Sequence, residues 1–231
     1  MKRQIVSTAL GLCISASAAL AEVDQGVVVE LYTSQGCSSC PPADDLMATL
    51  AETPGVIALA LHVDYWDYIG WEDTFAQPGF TERQKAYAHA AGEKMIYTPQ
   101  MIVGGVARVE GNQPEAVQAA IAAAQGPGAV KLALAREGGK LVIRAEANPP
   151  LPQGATVQVV QYLDQSQVDI DRGENAGLSV AYHNVVTSWQ SVGDWAGVEP
   201  LQLVTDVGPG PVVVIVQSAG PAKILAAARL R

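Results

Sequence analysis

Cys37 and Cys40 stand two residues apart, between the apolar run Val27-Val28-Val29-Glu30-Leu31-Tyr32 and the helix-patterned segment Asp44-Asp45-Leu46-Met47-Ala48-Thr49-Leu50. The run reads as a buried strand and the segment as a helix. A cysteine pair in the turn between them either exchanges electrons with other thiols or forms half of a metal site. The physics of a helix start favours exchange. Unpaired N–H groups and the positive end of the helix dipole favour a thiolate, which lowers the thiol pKa and makes the sulfur nucleophilic. A purely structural bridge is the plain alternative. Closing so short a loop removes little entropy from the unfolded chain, so such a bridge would be a poor staple.

The chain has three cysteines, and the third, Cys13, falls within the first 21 residues. Those residues are composed like a secretory leader: Lys2 and Arg3, an apolar stretch over 5–16, then Ala19-Leu20-Ala21. Residues 1–21 are expected to be a signal peptide cleaved after Ala21. An uncleaved anchor is the alternative, but the apolar stretch is short for a span and ends in small residues. The exported chain would keep only Cys37 and Cys40, which excludes a disulfide framework and a four-cysteine zinc site within one chain. The expected location is the periplasm of a two-membrane bacterium, or the medium.

The net charge is −9 and becomes more negative when Lys2 and Arg3 leave with the leader. No basic cluster offsets it, so nucleic acid and anionic membrane surfaces are excluded as partners. The longest later apolar run, residues 211–216, is strand-sized, and no stable membrane insertion is expected after cleavage.

Texture changes at Gln125-Gly126-Pro127-Gly128. Before it, strands are expected over 27–32, 56–63 and 101–103, alternating with helices over 41–53, 81–92 and 114–124. Thr81, with Gln84 three residues on, has capping-box spacing, and Pro114 suits a first helical turn. After it, strands are expected over 130–136, 140–147, 156–163, 178–189, 201–206, 212–218 and 224–230, separated by Gly and Pro turn signals.

A second signal is Tyr97-Thr98-Pro99-Gln100-Met101-Ile102-Val103-Gly104-Gly105. Thr-Pro leading straight into a short strand that ends in Gly-Gly reads as a cis peptide facing the cysteines, with a trans proline at a strand edge as the plain alternative. The residue before such a proline presents its N–H and C=O to an extended substrate chain. The proline ring fills a place beside the cysteines where a ligating side chain would capture metal.

On the C-x-x-C and the Thr98-Pro99 segment, residues 27–124 resemble the thioredoxin-like superfamily. More narrowly, the chain after the leader resembles a family of exported bacterial proteins known as a domain of unknown function. That resemblance is carried by the string from Glu30 to Asp44, by His62-Val63-Asp64-Tyr65-Trp66-Asp67-Tyr68-Ile69-Gly70-Trp71, by Tyr97-Thr98-Pro99-Gln100, by Arg172-Gly173-Glu174-Asn175-Ala176-Gly177 and by His183-Asn184-Val185-Val186. It implies an α/β thioredoxin-like domain over 22–125, followed by a mainly β, sandwich-like domain over 129–231. It also implies a redox centre but no substrate. The chain departs from ordinary thioredoxins in its Ser38-Ser39 dipeptide, in the following Pro41-Pro42, and in a longer path to Pro99 that carries an aromatic segment over 65–80.

Roles follow from these placements. Cys37 is expected to be the exposed nucleophile and Cys40 the resolving thiol, with the Ser38 and Ser39 N–H groups stabilising the Cys37 thiolate. Chemistry collects at the carboxyl ends of strands in open α/β sheets, which makes Asp64 or Asp67 a candidate for proton transfer to Cys40. Asp67 as a turn cap and His62 as a hydrogen-bonded core residue are the plain alternatives. Tyr65, Trp66, Tyr68, Trp71 and Phe80 suggest a lid or a peptide-docking surface. The Arg172–Asn175 string reads as a polar turn, and the sequence does not decide whether it docks on the cysteines.

The expected function is therefore an exported thiol–disulfide oxidoreductase working through Cys37 and Cys40, with Thr98, Pro99 and Asp64 at the site. It would need no cofactor, and its partner would be a protein thiol or disulfide. One alternative is a soft-metal handling protein that binds Cu(I) through Cys37, Cys40 and His62. Thr98 and Gln100, rather than a histidine, flank Pro99 and weigh against it. An inactive thioredoxin-like binding module is a third reading.

Overall fold

The structure, a computed structural model, describes residues 23–126 and 128–231. The expected leader over 1–21, with Cys13, lies outside the described residues. In chain order the elements are β1 (Val23–Gln25), β2 (Val27–Thr33), α1 (Pro41–Ala51), β3 (Val56–His62), a 3-10 turn (Asp67–Ile69), α2 (Pro78–Ala90), β4 (Gln100–Val103), β5 (Ala107–Glu110), α3 (Pro114–Ala124), β6 (Val130–Glu137), β7 (Lys140–Ala147), β8 (Ala155–Asp169), β9 (Ser179–Trp195), β10 (Leu201–Asp206), β11 (Val212–Ser218) and β12 (Ile224–Leu230).

Among the described residues all three α-helices precede Gln125, as the change of texture predicts, but strands from both halves of the chain join one sheet. Its order is β1-β12-β11-β8-β9-β3-β2-β4-β5, and β10-β7-β6 form a second sheet. The pairs β2–β3 and β3–β9 are parallel and the other pairs are antiparallel.

The large sheet curls until β12 meets β2 edge to face. Gly26 N–H donates to Ala227 O, and Ile224 N–H donates to Gly104 O at 2.9 Å. A Cβ on Gly105, whose φ is +74°, would lie 2.2 Å from Ala222 O, so the paired glycines after β4 admit the returning chain.

Three apolar layers result. Val29, Leu31, Ala58, Ala60 and Met101 pack under α1 and α3 through Met47, Leu50, Val117 and Ile121. Val28, Tyr32, Ile57, Leu59 and Leu61 face Val160, Val213 and Ile215 across the curl. The other side of β8, β11 and β12 packs on Leu132, Leu134, Leu141 and Ile143 of the small sheet. The unbroken run Val212-Val213-Val214-Ile215-Val216 fits a strand buried on both faces, with Val212, Val214 and Val216 in one layer and Val213 and Ile215 in the other.

Three sequence expectations change here. Helix α2 starts at Pro78, so Thr81 is not its N-cap but sits inside the first turns, with its hydroxyl on Asp64. Proline in the first turn costs no hydrogen bond, and this outweighs the capping-box spacing. Strands β8 and β9, of 15 and 17 residues, run well past the apolar stretches expected to end them. The added residues, 164–169 of β8 and 190–195 of β9, are exposed or half-exposed apart from Trp195, so they lack an apolar pattern to read. Strand β5, of four half-exposed residues, was not anticipated for the same reason.

One buried ionic network ties these layers together. Glu30, in the middle of β2, is fully buried. It accepts from Arg83 Nε at 2.7 Å and Nη2 at 2.9 Å, and from the Tyr32 and Tyr87 hydroxyls. Arg83 also reaches Gln217 of β11 and stacks on Trp189 of β9, 3.9 Å from the ring centroid. Burial, together with the Glu30 charge, pushes both tyrosine pKa values well up. Arg83→Met should leave Glu30 as an uncompensated buried charge and cost about 3–5 kcal/mol in urea unfolding. The double variant Glu30→Gln/Arg83→Met should recover much of that loss. A single-variant cost below about 1 kcal/mol would contradict the assigned role.

Candidate functional site

The chain leaves β2 at Thr33 and turns through Ser34-Gln35-Gly36 into a Cys37–Cys40 disulfide. Cys37 N–H donates to Ser34 O and Cys40 N–H to Cys37 O, two tight turns in succession. Cys40 is the N-cap of α1, and Pro41 and Pro42 fill the first two helical positions. Prolines are tolerated there because first-turn N–H groups have no partner within the helix.

This arrangement corrects the expected electrostatics. Pro41 and Pro42 remove two of the helix's free donors, while Ala43 and Asp44 N–H donate back to Cys40 O. Cys37 therefore lies upstream of the helix start and receives no N–H from it. The polar group beside its sulfur is the Ser39 hydroxyl, at 3.5 Å from Sγ.

Cys37 is also not the exposed thiol expected. Both cysteines have zero solvent exposure, although Ser38 and Ser39 between them are exposed. Groups from two distant segments pack on the disulfide turn. Gly36 sits so close under Trp66 and Ile69 that a Cβ on it would lie 3.2 Å from each. Asn175, in the 170–178 turn joining β8 to β9, donates its amide to Gln35 O and to Cys37 O, both at 2.9 Å. The Arg172–Asn175 string thus docks on the disulfide turn, which sequence alone left open.

Thr98 and Pro99 meet the disulfide turn. The Thr98–Pro99 peptide is cis. Ser39 Oγ donates to Thr98 O at 3.4 Å, and Trp66 Nε1 donates to Thr98 Oγ1 at 2.8 Å. Pro99 O accepts from Gly111 N–H, and a Cβ on Gly111 would fall 3.0 Å from Pro99 Cβ and 3.2 Å from Ala43 Cβ. Pro99 therefore lies alongside the first turn of α1.

Behind the disulfide lies a buried polar cluster. Asp44, one helical turn beyond Cys40, accepts from Thr33 Oγ1 at 2.8 Å. Thr33 pairs across β2–β3 with His62, whose Nδ1 is 2.7 Å from Asp73 Oδ2. Asp73 also accepts from Gln35 N–H at 2.7 Å, which ties the cluster back to the disulfide turn. The His62 ring is held edge-on to Phe75 and Tyr182.

Two carboxyls respond in opposite directions. Burial pushes Asp44 up to about 7, only partly offset by His62 and the Thr33 hydroxyl. Burial also pushes on Asp73, but His62 and the N–H donors of Gln35 and Phe75 outweigh it and hold Asp73 low.

The other expected residues take different places. Asp64 accepts the Thr81 hydroxyl at 2.5 Å and is thereby committed to α2. Asp67 accepts from Asp73 N–H, so it caps a turn, and burial raises its pKa. Among the described residues no cluster of three or more His, Cys, Asp or Glu side chains is arranged to hold a metal ion, and Cys37, Cys40 and His62 do not form one. Of the five aromatics, Trp66 and Trp71 are bonded to Thr98 and Gln35, and Tyr65 to Gln84. Phe80 belongs to the core, and Tyr68 alone projects outward, 80 % exposed.

Asp44 and Asp73 were given no role from sequence, and Asn175 was singled out only as part of a polar turn. Asp44 alone left a trace there: it follows Cys40 by four residues on the helix face that continues through Met47 and Ala51, so a carboxyl interrupts an otherwise apolar stripe.

Residues 28–217 match a family described as "Protein of unknown function (DUF1223)". The chain belongs to this family. A crystal structure of protein AGR_C_4864 from Agrobacterium tumefaciens is 32 % identical, with 88 % of this chain and 93 % of that one aligned at a TM-score of 0.77. HBP35 of Porphyromonas gingivalis aligns over 90 % of this chain and 76 % of its own at a TM-score of 0.61 and 14 % identity, a likeness of fold alone. No curated protein matches the chain.

The Asp44 environment sets a pH dependence of stability. Its folded pKa, about 7, exceeds the unfolded value, so the folded state holds the extra proton. Stability from this group is complete below about pH 4 and is lost as pH rises toward 7. Asp44→Asn should therefore gain on the native protein by a few kcal/mol between those pH values, read as the difference in urea midpoints. A constant difference across that range would contradict the placement.

Proposed function

We propose that this DUF1223 protein is an exported thiol–disulfide oxidoreductase, built on a thioredoxin-like half and acting through Cys37 and Cys40. The observation that carries the reading is the company the disulfide keeps. It opens a helix, Thr98 and Pro99 flank it, and Asp44 lies one turn beneath Cys40. A disulfide kept only for stability needs no buried protonatable carboxyl on the helical turn that it opens. Further support comes from the leader-like composition of residues 1–21, since disulfides persist outside the reducing cytosol.

The chemistry proceeds as follows. A partner thiolate attacks Cys37 Sγ and the Cys37–Cys40 bond breaks. A partner–Cys37 mixed disulfide forms, and Cys40 leaves as a thiolate. That thiolate emerges in a buried place, where charge is costly. Asp44, protonated below about pH 7, delivers the proton to it and becomes the carboxylate. A second thiolate on the partner then attacks its own sulfur in the mixed disulfide and releases Cys37 as a thiolate, leaving the partner oxidised and the protein reduced. In the opposite direction Asp44 accepts the Cys40 proton, so that Cys40 can attack. Asp44 thus takes the proton-transfer role for which the sequence offered Asp64 or Asp67 as candidates.

The test is trapping. Cys40→Ser should accumulate mixed disulfides through Cys37, and Cys37→Ser should abolish exchange, measured with insulin as the disulfide substrate. Asp44→Asn should slow exchange by roughly 10²-fold. Faster alkylation of Cys40 than of Cys37 in the reduced protein would reverse the two roles. Tight binding of one Cu(I) by the reduced protein, with no exchange on insulin, would replace this reading by metal handling.

A further inference from the structure

We propose that the 170–178 turn is a gate over Cys37, latched by Asn175, which keeps small thiols from the disulfide and yields to a partner protein. The inference uses the proposed redox reading only to say whom the gate serves; the gating itself concerns access to a sulfur.

The latch is a single side chain. Asn175 spends both donors of its amide on the disulfide turn, one on Gln35 O and one on Cys37 O. Asn175 itself is 6 % exposed, while its neighbours Asp171, Arg172, Gly173 and Glu174 are exposed. The turn contributes one further close approach: a Cβ on Gly173 would lie 3.2 Å from Trp71 Cβ.

The turn is otherwise self-contained. Gly177 N–H donates to Ile170 O at 2.7 Å, Leu178 N–H to Asn175 O at 3.1 Å, and Ile170 N–H to Leu178 O at 2.9 Å. Ile170 is buried and marks the tether. Gly173 and Gly177 hold φ of +79° and +85°, a region glycine enters without cost. The turn can therefore swing about its tether as a unit, exchanging two hydrogen bonds to backbone carbonyls for bonds to water. Free energies of that size separate local opening from global unfolding.

Gating follows from the exchange chemistry. An attacking thiolate must reach Cys37 Sγ, form the new S–S bond there and expel Cys40 as a thiolate that takes up a proton; the rate depends on that access. With the turn closed, neither sulfur is exposed. A small thiol binds nothing that would displace the turn. A protein thiol docking at the exposed Ser38, Ser39 and Tyr68 has interface energy to spend on opening it.

The experiment measures reduction of the native disulfide by glutathione and by dithiothreitol. In Asn175→Ala the rate should rise by at least about tenfold, equivalent to about 1.4 kcal/mol. Asn175→Asp, which sets a carboxylate against two carbonyl oxygens, should rise at least as much. Re-oxidation should accelerate equally, leaving the reduction potential unchanged. Rates within twofold of the native protein, in variants with native circular dichroism and melting, would overturn the proposal. If neither variant folds, amide exchange of the native protein decides. The Asn175 side-chain amide protons, released only when the latch opens, should exchange far faster than the β8–β9 ladder amides, and protection equal to the ladder's would overturn the gate. None of these readouts depends on insulin exchange, so the gate and the redox reading fail separately.

Discussion

Asn184 takes a left-handed backbone conformation, φ 50°, and donates its side-chain amide to Ala58 O at 2.8 Å. It stands beside Val185, which pairs in parallel with Ala60, and this is where β9 joins β3. Much of the architecture depends on this short join. It adds the second half of the chain to the sheet of the first half. It also directs the long β8–β9 hairpin along β3, so that its far end arrives over the disulfide turn. A polar residue suits the place because its amide satisfies a carbonyl that parallel pairing with a single matched residue leaves open.

A second constraint is the concentration of buried polar groups under the cysteines. Thr33, Asp44, His62 and Asp73 are all buried, and each has a partner in the others or in Gln35 N–H. Buried carboxyls are expensive unless paired or protonated. The molecule uses both solutions within one cluster: Asp73 is held as the anion by His62 and backbone donors, and Asp44 keeps its proton. In the proposed redox reading, this pair of carboxyls with pKa values pushed apart is where proton transfer would take place. The Glu30–Arg83 network is the opposite case. It lies in the next layer, fully paired, and serves to hold α2, β2 and β11 in register.

The covering of Cys37 changes how the site is understood. A C-x-x-C seen in sequence suggests an open nucleophile at a helix mouth. Here Pro41 and Pro42 delete helix donors, Trp66 and Ile69 cover Gly36, and Asn175 closes the remaining side. The resting disulfide is shielded from solvent.

Local pattern made β2, β3, α1 and β11 legible in the sequence, because their residues are buried by immediate periodicity: continuous apolar runs for the strands and a turn-by-turn apolar stripe for the helix. The Cys37–Cys40 pair and the Thr98–Pro99 segment were legible for the same reason, as short strings with their own local chemistry. Tertiary structure decided the rest. The far end of β8, residues 164–169, is largely exposed and is held by its pairing with β9, so no apolar signal announces it. Asp64, promising by position, is claimed by Thr81, while Asp44 is pushed toward its protonated form only by burial in the fold, against the opposing pull of His62 and the Thr33 hydroxyl. Asn175, some 138 residues from Cys37 along the chain, reaches it only because β9 joins β3. Hydrogen bonds between such distant residues depend on where two separately readable segments are brought together, and burial sets the cost of leaving those groups unmatched.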